Sequence, residues 1–307
     1  MNSIIEQKNG AIQLQRLAAQ RQQYSTAKLI IGTQLVLSGL VTVLFAFLGL
    51  AVAELKGYVA LWGITILIAD LVILTPWQKR LRESAAKIQE AFDCDVLSLP
   101  WHELKVGRMP DPELVQAQAT KYSKWASTMP SLRDWYPVSV QQLPSHWGCF
   151  VCQRANCWWD SDLRRRYALA IIILLLSLGA GVIWYAFGVG MVIEDFIVKI
   201  AAPLIPTFAL GSRQFTEHRD AADRLDKLKV HAEKLWTEAL AGASIPAMKM
   251  GARALQDEIF DGRKRNPPIF DNLFRWLRSD QERLMNQGAE HFVAEAKKQL
   301  HAKSALN

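Results

Sequence analysis

The sequence predicts an all-α membrane protein with four transmembrane helices in two hairpins and a mainly helical cytosolic domain. The first observation is that half of the 307 residues are hydrophobic, and that they collect in two blocks. The second is that charged residues are nearly absent from both blocks. Because a membrane-crossing helix needs about 20 mainly apolar residues, each block is long enough for two such helices joined by a turn.

The order of the blocks divides the chain into five predicted segments. They are an N-terminal amphipathic helix (1–28), transmembrane hairpin 1 (29–75), a cytosolic segment (76–166), transmembrane hairpin 2 (167–210) and a cytosolic helical tail (211–307). The four spans are expected over 29–53, 58–75, 167–187 and 191–210. The fourth is the least apolar, because it contains Glu194, Asp195 and Lys199. The cytosolic domain is expected to combine the central segment with the tail.

Basic residues at the ends of the spans predict the orientation. They are Lys8, Arg16, Arg21, Lys28, Lys79, Arg80, Arg82, Lys87, Arg164, Arg165, Arg166, Arg213, Arg219 and Arg224. The two hairpin turns contain a single basic residue, Lys56. Since cytoplasmic flanks carry the excess of Lys and Arg, both termini and the central segment are expected in the cytoplasm. The same excess accounts for the net charge of +7.

The motifs of common enzyme classes are absent. The sequence has no phosphate-binding glycine loop, no Gly-x-Ser-x-Gly and no His-Glu-x-x-His, so we expect neither an enzyme nor a cofactor. Cys149 and Cys152 form a Cys-x-x-Cys pair beside His146 and Cys157, a composition that invites a zinc or redox hypothesis. The spacing to Cys157 is not that of a standard zinc site, and buried free thiols are favoured. Charge in the soluble segments is nearly balanced, which argues against DNA binding.

Polar residues inside the spans are candidates for lining a pore. Gln34, Ser38 and Thr42 are four residues apart and form one stripe along the first span. Asp70 lies in the second span, and Glu194 and Asp195 begin the fourth. The alternative is that these groups make hydrogen bonds between helices, and that Asp195 pairs with a lysine one turn later. Four helices with one thin polar stripe cannot enclose a wide channel alone, so conduction predicts a homo-oligomer.

Two stretches carry a family resemblance. They are Asp134-Trp135-Tyr136-Pro137 and the run from Cys152 to Tyr167, which reads CQRANCWWDSDLRRRY. With the order hairpin, cytosolic segment, hairpin, cytosolic tail, the chain resembles the SMODS-associating four-transmembrane effector family. The resemblance implies a pore-forming effector of a bacterial CBASS anti-phage system in the inner membrane. It further implies activation by a cyclic di- or trinucleotide from a cognate nucleotidyltransferase.

A cyclic oligonucleotide needs cations for its phosphates and flat surfaces for its bases. The candidate contact residues are Arg133, Trp135, Tyr136, Arg154, Asn156, Trp158, Arg164 and Arg165. Two alternatives stay open: Asp160 and Arg164 can form an ion pair one helical turn apart, and Arg154 can transmit motion to the third span instead of touching the ligand.

Two other functions remain compatible with this topology. A constitutive channel or transporter for a small solute predicts more polar residues deep in the spans. A membrane-tethered regulatory scaffold predicts that the spans serve only as anchors.

Overall fold

The computed structural model describes residues 4–128 and 131–306, and these residues contain helices and connections but no strand. Residues 1–3 of the predicted N-terminal helix and residue 307 of the predicted tail lie outside the described residues. The α-helices are α1 (Ile4–Lys8), α2 (Ala11–Leu35), α3 (Thr42–Ala51), α4 (Lys56–Ala69), α5 (Thr75–Val96), α6 (Glu103–Val106), α7 (Pro112–Ser123), α8 (Ser145–Gly188), α9 (Ile193–Phe196), α10 (Ala202–Ala241), α11 (Ile245–Arg265) and α12 (Asp271–Leu306).

Short turns of other helix types interrupt or join these helices. Three π-helical turns are π1 (Val36–Val41), π2 (Asp70–Leu74) and π3 (Ile197–Ala201). Single 3₁₀ turns cover Ala53–Leu55, Ala126–Thr128 and Val138–Gln142. Asn266-Pro267-Pro268 lies in a break between helices, since α11 ends at Arg265 and α12 begins at Asp271.

Three helical stretches of the described residues are long and apolar enough to cross a membrane. They are Ala11–Gly49, Gly57–Val96 and Ser145–Gly188, and they contain most of the first predicted span and all of the second and third. The predicted fourth span corresponds to α9, π3 and the start of α10 and is not among them. The all-helical class is therefore confirmed for the described residues, the three apolar stretches support a membrane protein, and the four-span arrangement stays a prediction.

The chain divides into two compact units. The motif unit comprises Met1–Ser25, Arg82–Arg164 and Ala221–Asn307, and the apolar unit comprises Thr26–Leu81 and Arg165–Asp220. The motif unit has a conventional hydrophobic core, with Phe92 of α5, Phe150 of α8, Ala252 of α11 and Val293 of α12 all buried in it. The apolar face of α5 supplies part of this core through Phe92.

A heptad pattern in α10 also packs inside the motif unit. Leu225 and Ala232 are buried in one cluster with Cys157 of α8 and with Leu255 and Ile259 of α11. This face of α10 is therefore covered by the same chain. It is not available in this structure as a coiled-coil contact between copies.

In the apolar unit, unlike the motif unit, many large apolar side chains lie on the surface. Val182 of α8 packs on Leu204 of α10 in its interior. Gly211 permits a close approach of α8 and α10, because a Cβ there would lie 2.5 Å from the Leu175 side chain, which would have to move. Many large apolar residues nevertheless face outward, with Trp184 and Phe187 each 82% exposed. An exterior of this kind is typical of a surface that contacts lipid.

Proline accounts for two of the three π turns. Pro76 and Pro203 each follow a π turn by two residues, and the proline ring would clash with the carbonyl four residues earlier in a regular α-helix. That carbonyl lies inside π2 and π3 respectively. No proline follows π1, where the Thr42 hydroxyl instead donates to the Leu37 carbonyl at 2.8 Å. All three π turns lie in the apolar unit.

Candidate functional site

A buried carboxylate, Asp93, organises the polar interior of the motif unit. Its side chain accepts hydrogen bonds from the Tyr136 hydroxyl at 2.6 Å and from Gln256 Nε2 at 3.0 Å, and it is paired with the Arg263 guanidinium. These donors come from the loop before the Val138–Gln142 turn and from α11. We call the set of Asp93, Tyr136, Gln256 and Arg263 the Asp93 centre.

A second ion pair extends the Asp93 centre by one helical turn. Glu90 accepts from Arg253 Nη2 at 2.6 Å and from Gln256 Nε2 at 2.8 Å. Arg253 also lies 3.0 Å from Asp257 and donates to the Pro100 carbonyl at 2.9 Å. The charges on α5 and α11 are therefore matched across the interface, as burial of charge requires.

The surroundings fix the protonation of the Asp93 centre. Burial, followed by the charge of Asp93, raises the pKa of Tyr136 well above its usual value. Burial alone would lower the pKa of Arg263, but the charge of Asp93 and its hydrogen bond to the guanidinium raise it overall. Tyr136 is thus a neutral donor and Arg263 a permanent cation, an arrangement suited to holding structure and not to proton transfer.

The two motif stretches meet at this centre. Gln153 Nε2 donates to the Ala252 carbonyl at 2.8 Å and to Gln256 Oε1 at 3.1 Å. Asn156 Nδ2 donates to the Tyr136 hydroxyl oxygen at 3.2 Å. The motif of α8 is therefore joined to the Asp134–Pro137 loop through side-chain hydrogen bonds.

The Asp134–Pro137 loop is held by the N-terminal helix. Lys8 is fully buried, and its Nζ donates to the Tyr136 carbonyl at 2.8 Å and lies 3.0 Å from Asp134 Oδ1. Asn9 exchanges two hydrogen bonds of 3.1 Å with Asp134, one to its carboxylate and one from its backbone N–H. Hydrogen bonds from Lys8 and Asn9 lower the pKa of Asp134. Asp134 adopts φ 57, a conformation that aspartate tolerates better than most residues.

Several predicted ligand residues already have partners inside the motif unit. Tyr136 is buried and stacks on Phe92 with ring centroids 6.1 Å apart, and Trp135 contacts Phe92 edge-on at 6.2 Å. The Tyr136 ring is therefore not open to a base in this structure. Arg164 pairs with Asp160 at 3.0 Å, which confirms the predicted alternative for that pair, and donates to the Pro267 carbonyl at 2.8 Å.

The remaining predicted ligand residues are more accessible. Arg154 is partly exposed, pairs with Glu233 at 2.9 Å and lies 4.9 Å from the centre of the Phe292 ring. Trp158 is half-buried, whereas Arg133 and Arg165 are exposed. Arg165 belongs to the apolar unit. Of the eight candidates, the structure joins Tyr136 with Asn156 by a hydrogen bond, and ligand binding by any of them stays a prediction.

The four cysteines are free and buried. Within the part of the chain that the structure describes, no group of three or more His, Cys, Asp and Glu side chains is placed to hold a metal ion.

A second carboxylate, Asp70, lies at the centre of a polar cluster in the apolar unit. Asp70 Oδ1 accepts from Gln34 of α2 and from the Thr75 hydroxyl at 3.2 Å. Asp70 Oδ2 lies 3.3 Å from Arg213 Nη1 of α10. We call Gln34, Asp70, Thr75 and Arg213 the Asp70 cluster.

The other predicted pore-lining residues of the first span also contact neighbouring helices. The Trp62 indole donates to the Thr42 hydroxyl at 3.2 Å, and the Thr207 hydroxyl of α10 donates to the Ser38 carbonyl. Gln34, Ser38 and Thr42 are all buried within one chain. The predicted alternative of hydrogen bonding between helices is seen for the Gln34 and Thr42 side chains, whereas at Ser38 the backbone carbonyl is the acceptor. Lining of a pore stays a prediction.

The acidic residues of the predicted fourth span lie in a different setting. Glu194 is exposed, and Asp195 pairs with Lys199 at 2.6 Å, which confirms the predicted pair one turn apart.

Sequence reasoning missed the charged partners of the Asp93 centre. Their signal was periodicity: Ala86, Glu90, Asp93 and Leu97 follow steps of four, three and four and are all buried. Arg253, Gln256, Phe260 and Arg263 repeat the pattern on α11. Charged residues in phase with apolar ones on two helices indicate a buried ion-pair interface.

These features define an all-helical membrane protein whose polar unit is built around the two motif stretches. Residues 2–292 match the SMODS-associating 4TM effector domain, and the chain belongs to that family. It is similar to a protein of Bacillus cereus (strain VD146) named "Probable CBASS effector molecule", with 22% identity over 200 residues. That match covers 65% of this chain and 65% of the relative, so the chain spans about two thirds of the relative's length. No solved structure matches the chain.

Proposed function

We propose that this chain is a CBASS effector that disrupts the bacterial inner membrane when a cyclic di- or trinucleotide binds on its cytosolic side, and that this causes abortive infection. Both termini lie in the cytoplasm in this proposal. One observation carries it: α8 contains the motif from Cys152 to Tyr167 and continues as one of the helices apolar enough to cross a membrane. A single helix therefore belongs to both the input and the output of the effector.

The input end is assigned to the accessible cations and aromatic rings of the motif unit. Arg133 is exposed and Trp158 half-exposed, which suits contact with a phosphate and a base respectively. Arg154 has a different role in this proposal, because Glu233 and Phe292 already occupy its guanidinium. It holds α8 against its neighbours and transmits the binding event.

The output end requires several copies of the chain. The polar side chains of the first span are turned toward other helices of the same chain, and the exterior of the apolar unit is hydrophobic. A homo-oligomer that rearranges these helices provides a path for ions that one copy does not. The relative's name, which assigns it to CBASS, supports the same system for this chain.

The deciding experiment is leakage of dye and ions from phosphatidylethanolamine–phosphatidylglycerol liposomes that contain the purified protein. A panel of cyclic di- and trinucleotides is added one at a time, and correct insertion is checked by protease protection. Leakage with one nucleotide only is the expected result. If inserted protein leaks with none of them, the regulatory scaffold becomes the better account. Leakage without any nucleotide would favour the constitutive channel.

Measuring both nucleotide binding and leakage distinguishes the role of Arg133 from that of Arg154. Arg133→Ala is expected to weaken binding of the active nucleotide about tenfold, because a hydrogen bond to a charged group contributes about 1.5–3 kcal/mol. Arg154→Ala is expected to keep the affinity and to reduce leakage. Calorimetry and the liposome assay give the two readouts. Loss of binding in Arg154→Ala would instead make Arg154 a ligand contact.

A further inference from the structure

The Asp70 cluster joins four segments of the apolar unit at one carboxylate. Gln34 comes from α2, Asp70 from π2, Thr75 from the start of α5 and Arg213 from α10. Gln34 is also 3.4 Å from the Thr75 hydroxyl. Helices far apart in the sequence are therefore held together by one charged contact that lies at an end of a predicted span.

The charges in this cluster depend on each other. A charged side chain within a span costs several kcal/mol when it is alone in hydrocarbon, on the order of 2.5–3.5 kcal/mol on the scale derived from insertion experiments. Asp70 and Arg213 offset this cost only while α10 stays beside π2. Separation of the two helices leaves both charges in need of water, so a state with separated helices is a hydrated state.

Two features make the Asp70–Arg213 contact weaker than a fully buried ion pair. The Arg213 side chain is 33% exposed, and the distance of 3.3 Å is longer than that of a close charge-assisted hydrogen bond. Partial exposure to water lowers the free-energy cost of breaking such a pair. The contact can therefore open at a cost that binding of a ligand can supply.

The residue next to Arg213 has an unsatisfied group. Gln214 is buried, and within the described residues its Oε1 atom has no hydrogen-bond partner. A buried acceptor without a partner costs about 1–3 kcal/mol, so this state of α10 is not its best one for hydrogen bonding. Rotation of α10 that separates Arg213 from Asp70 also moves Gln214 out of this position.

Asp70 lies in the π turn π2, at an irregular point of its helix. π2 contains one more residue per hydrogen-bonded turn than an α-helix, and such turns occur frequently at functional sites. Because Pro76 disfavours a regular α-helix at this point, π2 keeps Asp70 in this orientation, and the pair with Arg213 opens by movement of α10.

We propose that the Asp70–Arg213 pair, supported by Gln34 and Thr75, is an ionic lock that keeps the apolar unit in its non-conducting state. This inference rests on the proposed function, since it names the contact that activation must break. It assigns Asp70 to the resting state, in place of a role in lining an open pore. The lock is intramolecular and acts before any path for ions exists.

The test uses the full chain in liposomes without nucleotide. Asp70→Asn and Arg213→Gln are expected to raise basal leakage about tenfold, a size typical of a coupling between two states. The double variant Asp70→Arg with Arg213→Asp is expected to return to the wild-type level. The matched control is Thr33→Val, which removes an exposed 3.1 Å hydrogen bond to the Leu29 carbonyl within α2 of the same unit, and it is expected to leave leakage unchanged.

Each outcome decides between the lock and the wider proposal. If the folded and inserted single variants leak no more than the wild type, the lock is refuted, whether or not a nucleotide opens the wild type. If they leak while no nucleotide opens the wild type, the lock stands and nucleotide gating fails. If Asp70→Asn does not yield monodisperse protein, Gln34→Leu and Arg213→Lys replace it, because each weakens the same contact and keeps both charges. Both variants are expected to leak at intermediate levels. Leakage at the wild-type level in both also refutes the lock.

Discussion

The Asp93 centre and the Asp70 cluster contain the same types of side-chain contact, but they lie in units with different distributions of apolar residues. Each is a carboxylate that accepts from one hydroxyl and one side-chain amide and pairs with one arginine. Asp93 is fully buried in a unit with a conventional core, whereas Asp70 is 9% exposed in a unit whose exterior is apolar. The same contact set therefore has two different consequences when it is broken.

The difference follows from what surrounds each arginine. Arg263 is nearly buried and has its pKa raised overall by Asp93 despite burial, so loss of Asp93 leaves a charge with no route to water. Arg213 is one-third exposed and reaches water by a modest rearrangement. Breaking the first contact is expected to unfold the motif unit, and breaking the second to change the state of a bundle that stays folded.

The largest expected effect is that of Asp93→Asn. Removing one partner of a buried ion pair typically costs about 3–5 kcal/mol, and the neutral amide would also lack the charge that holds Tyr136 and Gln256. Thermal unfolding of the detergent-purified protein, followed by tryptophan fluorescence and circular dichroism, measures the loss of stability. The control is Asp95→Asn on the same helix, which loses an exposed contact with Arg16 and is expected to cost less than about 1 kcal/mol.

Asp70→Asn in the same assay sharpens the comparison. It is expected to lower the unfolding temperature far less than Asp93→Asn while raising leakage. Equal destabilisation by the two variants would mean that both carboxylates are structural, and the distinction between the two sites would be lost.

The membrane-spanning character was predictable because it depends on composition averaged over about 20 residues. The first three predicted spans are each dominated by Leu, Ile, Val and Ala, and most of the first and all of the second and third lie in helical stretches apolar enough to cross a membrane. The fourth predicted span was harder to identify, since Glu194, Asp195 and Lys199 lower its mean hydropathy. The pairing of Asp195 with Lys199 is visible only in the structure. The family resemblance was equally accessible, because it rests on a local run of residues.

The Asp93 centre was not predicted because its members are distant in the sequence. Asp93, Tyr136 and Arg263 come together only when α5, a loop and α11 pack. The family motif indicated Tyr136 and Asn156 as ligand contacts. In the structure, Asn156 instead donates to the Tyr136 hydroxyl, and that hydroxyl donates to Asp93. A motif thus marks residues that matter without telling whether they bind a ligand or hold the fold.

Tyr136→Phe tests the hydroxyl of the centre without changing its ring packing. The Asp93 carboxylate loses one donor and Asn156 loses its acceptor, and we expect a loss of about 1–3 kcal/mol in stability. The stacking on Phe92 is retained. The control Tyr122→Phe changes a buried ring that packs edge-on against Trp125, and it is expected to have a smaller effect. A neutral Tyr136→Phe would show that the hydroxyl is not needed, and would return Tyr136 to the set of candidate ligand contacts.

The smallest effect is expected at the edge of the motif unit, where Asp134 meets Lys8 and Asn9. The Asp134 side chain is 60% exposed, so solvent screens its carboxylate, and the buried Lys8 keeps its bond to the Tyr136 carbonyl when Asp134 is neutralised; the expected loss is on the order of 1 kcal/mol. The pKa of Asp134 is lowered from 3.8 in the folded protein. A carboxyl with a lowered folded pKa contributes stability at pH values above its unfolded pKa and loses that contribution as the pH falls through the folded value.

Comparison of the wild type with Asp134→Asn across pH therefore has a defined sign. The wild type is expected to be slightly more stable from about pH 8 down to about pH 4, and the difference is expected to vanish as the pH falls below that range. Thermal unfolding at each pH measures it. A difference that persists unchanged at low pH would show that the amide fails to replace the hydrogen bonds of Asp134, so that geometry and not charge holds this loop. A difference that disappears would instead assign the contact to charge, and would set this edge apart from the Asp93 centre, where Tyr136 and Arg263 do not titrate in the accessible range.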